Sequence, residues 1–216
     1  MDLKTVLKVI EPTVKNLKAP VKDFEKVQTK DPFKILVATI LSSRTKDEIT
    51  TKAVERLFEK IRRPDDLERL KIEEIERLIY PVGFYRNKAR HLALLPHALK
   101  NFGGKVPDSM DSLLKLPGVG RKTANLVLAR AFGKPAICVD THVHRLVNMW
   151  GFVHTKTPEQ TERALQKLIP RSLWAKINPV LVAFGQKICR PTSPCCISCP
   201  LNRWCPSNSL DIEKSS

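Results

Sequence analysis

Residues Leu116 to Asn125 read LPGVGRKTAN: a proline, two glycines one residue apart, then a basic run of good helix formers. Ahead of it SMDSLLKL (Ser109–Leu116) can form a helix. Behind it RKTANLVLARAF (Arg121–Phe132) can form another, with Gly133 placed to stop it and Pro135 just beyond. The reading is helix, tight turn, helix. Glycine at 118 and 120 lets the backbone turn sharply and removes side chains that would hold a ligand away, so the amides opening the second helix can face a phosphate. A plain αα-hairpin uses the same two glycines, so the rest of the chain has to decide between packing and binding.

The chain carries 38 basic against 22 acidic residues over 216 positions, a formal charge of +16. Such an excess holds a protein to a polyanion through many phosphate contacts, and nucleic acid is the natural partner. Together with Arg121 and Lys122 it tips the hairpin toward DNA backbone. No apolar run approaches the roughly 20 residues of a membrane span, and the N-terminus alternates charge with aliphatics. We therefore expect a chain without membrane association or secretory leader.

Working outward, helical periodicity recurs almost everywhere. Leu3, Val6, Leu7 and Ile10 form one stripe that Pro12 is expected to end; Ile49, Ala53, Val54, Leu57, Phe58 and Ile61 form a second; Val143, Leu146, Val147 and Trp150 a third. Asp31 before Pro32 reads as an N-cap with proline at the first helical position, opening FKILVATILSS. Strand signal is limited to short runs such as Ile137 to Val139. The fold class read from this pattern is all-α, built from short helices joined by short loops.

Lys122 falls in the first turn of the helix after the hairpin, beside Arg121, where both the macrodipole and the neighbouring cation disfavour its ammonium form. The free amine is the form that attacks carbon. A solvated surface charge is the plainer reading of a lone lysine, and it needs a second group. Asp140 in VDTHVHR supplies one. It is a sound N-cap for the helix ending near Trp150, and it is also a carboxylate able to accept a proton or steady positive charge.

Five of six cysteines lie between Cys189 and Cys205, and all but Cys189 fall in a segment (PTSPCCISCPLNRWCPSNS) too rich in Pro, Ser and Cys to bury a core of its own. Metal binding fits this better than disulfides. Cys189, Cys196, Cys199 and Cys205 offer four thiolates, which suit either tetrahedral zinc or an iron–sulfur cluster. Cys195 competes with Cys196 by position. Cys138 reads as a small buried side chain.

Taken together, LPGVGRKTAN, VDTHVHR and the terminal cysteines, supported by LSSRTKD (Leu41–Asp47) and YPVGFYRNKA (Tyr80–Ala89), resemble the endonuclease III family of base-excision repair enzymes, within the helix-hairpin-helix glycosylases. The resemblance implies two all-α domains with DNA across the cleft between them. One is a six-helix barrel at 23–134 carrying the hairpin; the other is a discontinuous iron–sulfur domain from 1–22 and 135–216. It implies that Lys122 is the nucleophilic amine and Asp140 the catalytic carboxylate of a bifunctional glycosylase and abasic-site lyase acting on oxidised or ring-saturated pyrimidines. It also selects Cys189, Cys196, Cys199 and Cys205 as ligands of a 4Fe-4S cluster and leaves Cys195 free.

The implied partner is duplex DNA with damaged bases or abasic sites, met by a monomer inside the cell: cytoplasm or nucleoid in a prokaryote, nucleus or mitochondrion otherwise. Its DNA contacts map to Gly118, Gly120, Arg121 and Thr123 at the hairpin, His142 and Arg145 after Asp140, and Lys187 and Arg190 near the cysteines. Arg44 stands where many relatives have a glutamine that fills the gap left by a flipped base, and Phe84 where an apolar wedge enters the stack. Two rival readings remain: a monofunctional glycosylase acting on thymine or uracil opposite guanine, and a DNA-binding protein without catalysis.

Overall fold

The computed structural model describes residues 1–23 and 30–207; the stretches 24–29 and 208–216, which fall within the two expected domains, lie outside the described residues. Every regular element among the described residues is helical, as the periodicity required. The run Ile137–Val139 is not a strand. It is buried chain without regular structure, and the Cys138 carbonyl accepts from Asn178 Nδ2 at 3.2 Å.

The chain divides into two compact units, Asp23–Lys134 and Met1–Lys22 with Pro135–Ser216. Within the first, α2 (Pro32–Ser42) starts where Asp31 accepts the Phe33 amide at 2.9 Å and Pro32 opens the helix. Residues 35 to 41 of this helix are all buried, on every side, so it must run through a core rather than along a surface. Around it pack α3 (Asp47–Lys60), α5 (Tyr85–Lys100) and α7 (Arg121–Phe132), while α4 (Ile72–Ile79) lies against α3 and α5. The helix expected from SMDSLLKL is only one turn, α6 (Met110–Leu113). Its chain tightens into i→i+3 bonds, Lys115 N–H to Ser112 and Leu116 N–H to Leu113, because Pro117 bars Leu116 from continuing a helix.

The second unit joins the two chain ends. Helix α1 (Leu3–Asn16) packs on α10 (Trp174–Lys187), which packs in turn on α8 (Thr141–Met149), with α9 (Pro158–Leu168) beside α8. Pro12 does not end α1: the helix continues to Asn16. Pro12 faces solvent, so the carbonyl it leaves without an N–H can be hydrated, and Val14 extends the buried stripe by another turn. The end of α1 is closed by Lys22 Nζ, which donates to the carbonyls of Val14 (2.6 Å) and Lys15 (2.8 Å). The cysteine-rich tail lacks a core of its own, as its composition suggested, but Leu201 is buried against this one and Trp204 stacks on Phe152 at 5.6 Å.

Candidate active site

At the hairpin, Gly118 holds φ +74°, in the left-handed region that glycine enters without steric cost. His91 of α5 presses against it: a Cβ at 118 would stand 2.7 Å from the His91 Nδ1. Gly120 then caps α7, accepting the Ala124 amide at 2.9 Å. The amides at the start of α7 precede the helical ladder and point out of the helix N-terminus, as anion-binding amides do. Lys122 projects from this turn and is exposed. Thr123, read as a DNA contact, has its side chain buried at 8% exposure, so a contact from this position would have to come through its amide.

Asp140 sits at the other helix N-terminus that the sequence marked. Its Oδ1 accepts the Val143 amide at 2.9 Å, making it the N-cap of α8. Oδ2 has no hydrogen-bond partner among the described residues, and the residue is half-buried. His142 follows it, packed so closely on α10 that a Cβ at Gly185 would lie 2.7 Å from its Nδ1. Arg145, half-buried, donates to the Cys189 carbonyl and lies 3.7 Å from its Sγ. That bracing role was not legible in the sequence, since the two residues are 44 positions apart. Arg190 likewise braces its own loop, donating to the Ser193 carbonyl at 2.7 Å, whereas Lys187 is exposed at the end of α10.

Arg44 and Phe84, both exposed, share an unusual backbone. Each is a non-glycine residue in the left-handed region, with φ +52° and +57°. Their side chains meet, the Arg44 guanidinium carbon lying 5.5 Å from the Phe84 ring centre.

All six cysteines are free thiols. Cys189, Cys195, Cys196, Cys199 and Cys205 line one cavity of about 130 Å³ against Trp150 and Phe184. Burial pushes the Cys199 and Cys205 thiols up, and the neighbouring cysteines, Cys189 and Cys196 among them, push the same way. The Cys195 Sγ also lies 3.9 Å from the Lys187 carbonyl and 3.8 Å from Arg190. No three His, Cys, Asp or Glu among the described residues converge on a single-ion position. Thiols gathered around one such space are soft donors that suit a metal centre, zinc or iron–sulfur.

An all-α chain with a glycine hairpin, an exposed lysine in the turn after it and a capping aspartate before the next helix is the architecture of helix-hairpin-helix base excision DNA repair. The model of the HhH-GPD superfamily base excision DNA repair proteins matches residues 37–171, more than half the chain. The Thermotoga maritima protein named endonuclease III is 52% identical over 176 residues, covering 81% of this chain and 83% of the relative. A solved non-covalent endonuclease III–DNA complex superposes with a TM-score of 0.87 at 37% identity, covering 98% of this chain and 97% of that one. A trapped endonuclease III–DNA covalent intermediate gives 0.79 at 42% identity, covering 84% and 86%. The chain belongs to the endonuclease III family. Among the described residues no helix is long and apolar enough to cross a membrane.

Proposed function

We propose that Lys122 and Asp140 carry the chemistry of a bifunctional DNA glycosylase and abasic-site lyase, with oxidised or ring-saturated pyrimidines in duplex DNA as substrates and the protein acting as a monomer. The observation that carries this reading is the exposed amine of Lys122 on the first turn of α7, directly after a glycine turn with amides outside the helical ladder. Those amides hold a backbone phosphate, which fixes the DNA register around the lysine.

The damaged nucleotide leaves the stack so that its sugar carbon can be reached. The neutral Lys122 amine attacks C1′, the C1′–N bond breaks, and the base departs with the bonding pair and takes up a proton. Asp140 steadies the positive charge that develops on the sugar and takes the proton shed by the nitrogen. Ring opening gives a protonated Schiff base between Nζ and C1′. Loss of a C2′ proton then expels the 3′ phosphate by β-elimination, which cuts the strand on the 3′ side. Water hydrolyses the imine and returns Lys122.

Cys189, Cys196, Cys199 and Cys205 would hold a 4Fe-4S cluster, which when bound supplies four metal–sulfur bonds that close the Pro-rich tail into a fixed loop. Lys187 and Arg203 beside that loop are then positioned for phosphate.

Borohydride trapping on duplex DNA containing an abasic site tests this reading, with Lys122→Ala compared under conditions where both proteins bind. A covalent adduct with the intact protein alone is expected. Binding by both with no adduct and no strand break refutes the lyase assignment and leaves a monofunctional glycosylase or a non-catalytic binder.

A further inference from the structure

Two loops carry the side chains read as entering the duplex, and one buried residue holds both. Lys88, on α5, is 6% exposed. Its backbone N–H donates to the Phe84 carbonyl at 3.1 Å. Its Nζ donates to the carbonyls of Leu41 (2.7 Å) and Ser43 (2.5 Å) and to Thr45 Oγ1 (3.2 Å), which bracket Arg44 on either side. The loops also touch directly. The Gly83 amide donates to the same Thr45 Oγ1 at 3.1 Å, and a Cβ on Gly83 would stand 2.6 Å from the Arg44 carbonyl oxygen.

We propose that Lys88 is a positioning residue that locks the Arg44 loop to the Phe84 loop, so that the two side chains engage the duplex as one unit. The inference rests on the proposed function for what Arg44 and Phe84 meet. Its physical content is specific. All three ammonium hydrogens are used on uncharged oxygens, two of them carbonyls at the C-terminal end of α2, where a cation is favourably placed. A lysine held this way does no chemistry on DNA itself. It fixes two left-handed residues that would otherwise relax toward commoner backbone conformations and separate.

The test compares duplex with single-stranded substrate, because only the duplex has a stack to open. In Lys88→Met, single-turnover excision of an oxidised pyrimidine from duplex DNA is expected to slow by about tenfold or more. Borohydride trapping on a single-stranded abasic oligonucleotide, which needs Lys122 but no wedge, is expected to stay within about twofold of the intact protein. Thr45→Val removes the oxygen shared by Lys88 and Gly83, and should slow duplex excision in the same direction. Combined with Lys88→Met it should add little.

Excision from duplex within about twofold of the intact rate overturns the proposal, and so does an equal loss on both substrates. If Lys88→Met does not fold, Thr45→Val decides: slowed on duplex alone it supports the lock, and unchanged on duplex it overturns it. An intact protein that traps neither DNA fails the parent reading instead.

Discussion

Burial lowers the Lys88 ammonium to a pKa of about 8, from an ordinary 10.5. The sign of the resulting pH dependence is fixed. Between those two values the folded chain has released a proton that the unfolded chain still binds, so stability rises with pH in that window and the contribution is absent at neutral pH. Integrated to about pH 9.5, the shift corresponds to about 2 kcal/mol of added stability relative to about pH 7. Many other groups titrate over this range, but they do so equally in a variant lacking only this amine. The assay is therefore urea unfolding of the intact protein and of Lys88→Met at a series of pH values, with the difference between them plotted against pH.

The intact protein should gain on the variant as pH rises through about 8. A flat difference would show that the three hydrogen bonds keep Lys88 charged despite its burial, and would refute the reasoning. A neutral amine donates only two hydrogen bonds and turns a lone pair toward its third acceptor. Duplex base opening should therefore weaken in the same window in which the fold grows more stable, a pairing of trends that general alkaline damage would not produce.

Other substitutions separate roles that coincide at one residue. Asp140→Asn keeps a good N-cap for α8, so its unfolding free energy should stay within about 0.5 kcal/mol of the intact protein while base excision collapses; Asp140→Ala should cost about 1 kcal/mol more as well. Denaturation curves and single-turnover excision read the two effects independently. Gly185→Ala places a Cβ 2.7 Å from His142 Nδ1 and should destabilise by about 1–3 kcal/mol in a thermal melt, with weaker abasic-DNA binding as His142 is displaced. Alanine at Cys189, Cys196, Cys199 or Cys205 should abolish bound iron and sulfide in the purified protein, whereas Cys195→Ala should retain them; loss of iron from Cys195→Ala alone would reassign the fourth ligand.

What the sequence revealed and what it hid divide along chain distance. Asp31, Gly133 and Asp140 were readable because a cap answers to its own next few residues. That α2 runs through a core, by contrast, emerged only from the burial of residues 35 to 41. Lys88 was not readable. In YRNKAR it looks like one more solvated cation, and its acceptors lie 43 to 47 positions upstream. Arg145, read as a DNA contact, also donates to the Cys189 carbonyl, 44 positions downstream. The short α6 and the long α1 were misjudged through prolines. Pro117 acts on the residue before it, while Pro12 falls on the solvent side, where the helix tolerates it.

Capping and the catalytic role proposed for Asp140 are compatible. A carboxylate that must meet a transient positive charge gains from being fixed in one rotamer before substrate arrives. The Val143 amide does this by holding Oδ1 at 2.9 Å, and Oδ2 remains available. Similar close placement recurs around the neighbouring positions. His142 is set by contact with a glycine on α10 and His91 with the hairpin glycine, each so close that no Cβ fits between. Lys122 stands on a turn whose start Gly120 defines. The groups proposed to react or to face DNA thus occupy helix starts and turns that local sequence specifies. The residues that hold them, Lys88, Gly83 and Gly185, come from elsewhere in the same unit, and it is at these supporting positions that substitutions should alter substrate handling while leaving the reacting groups intact.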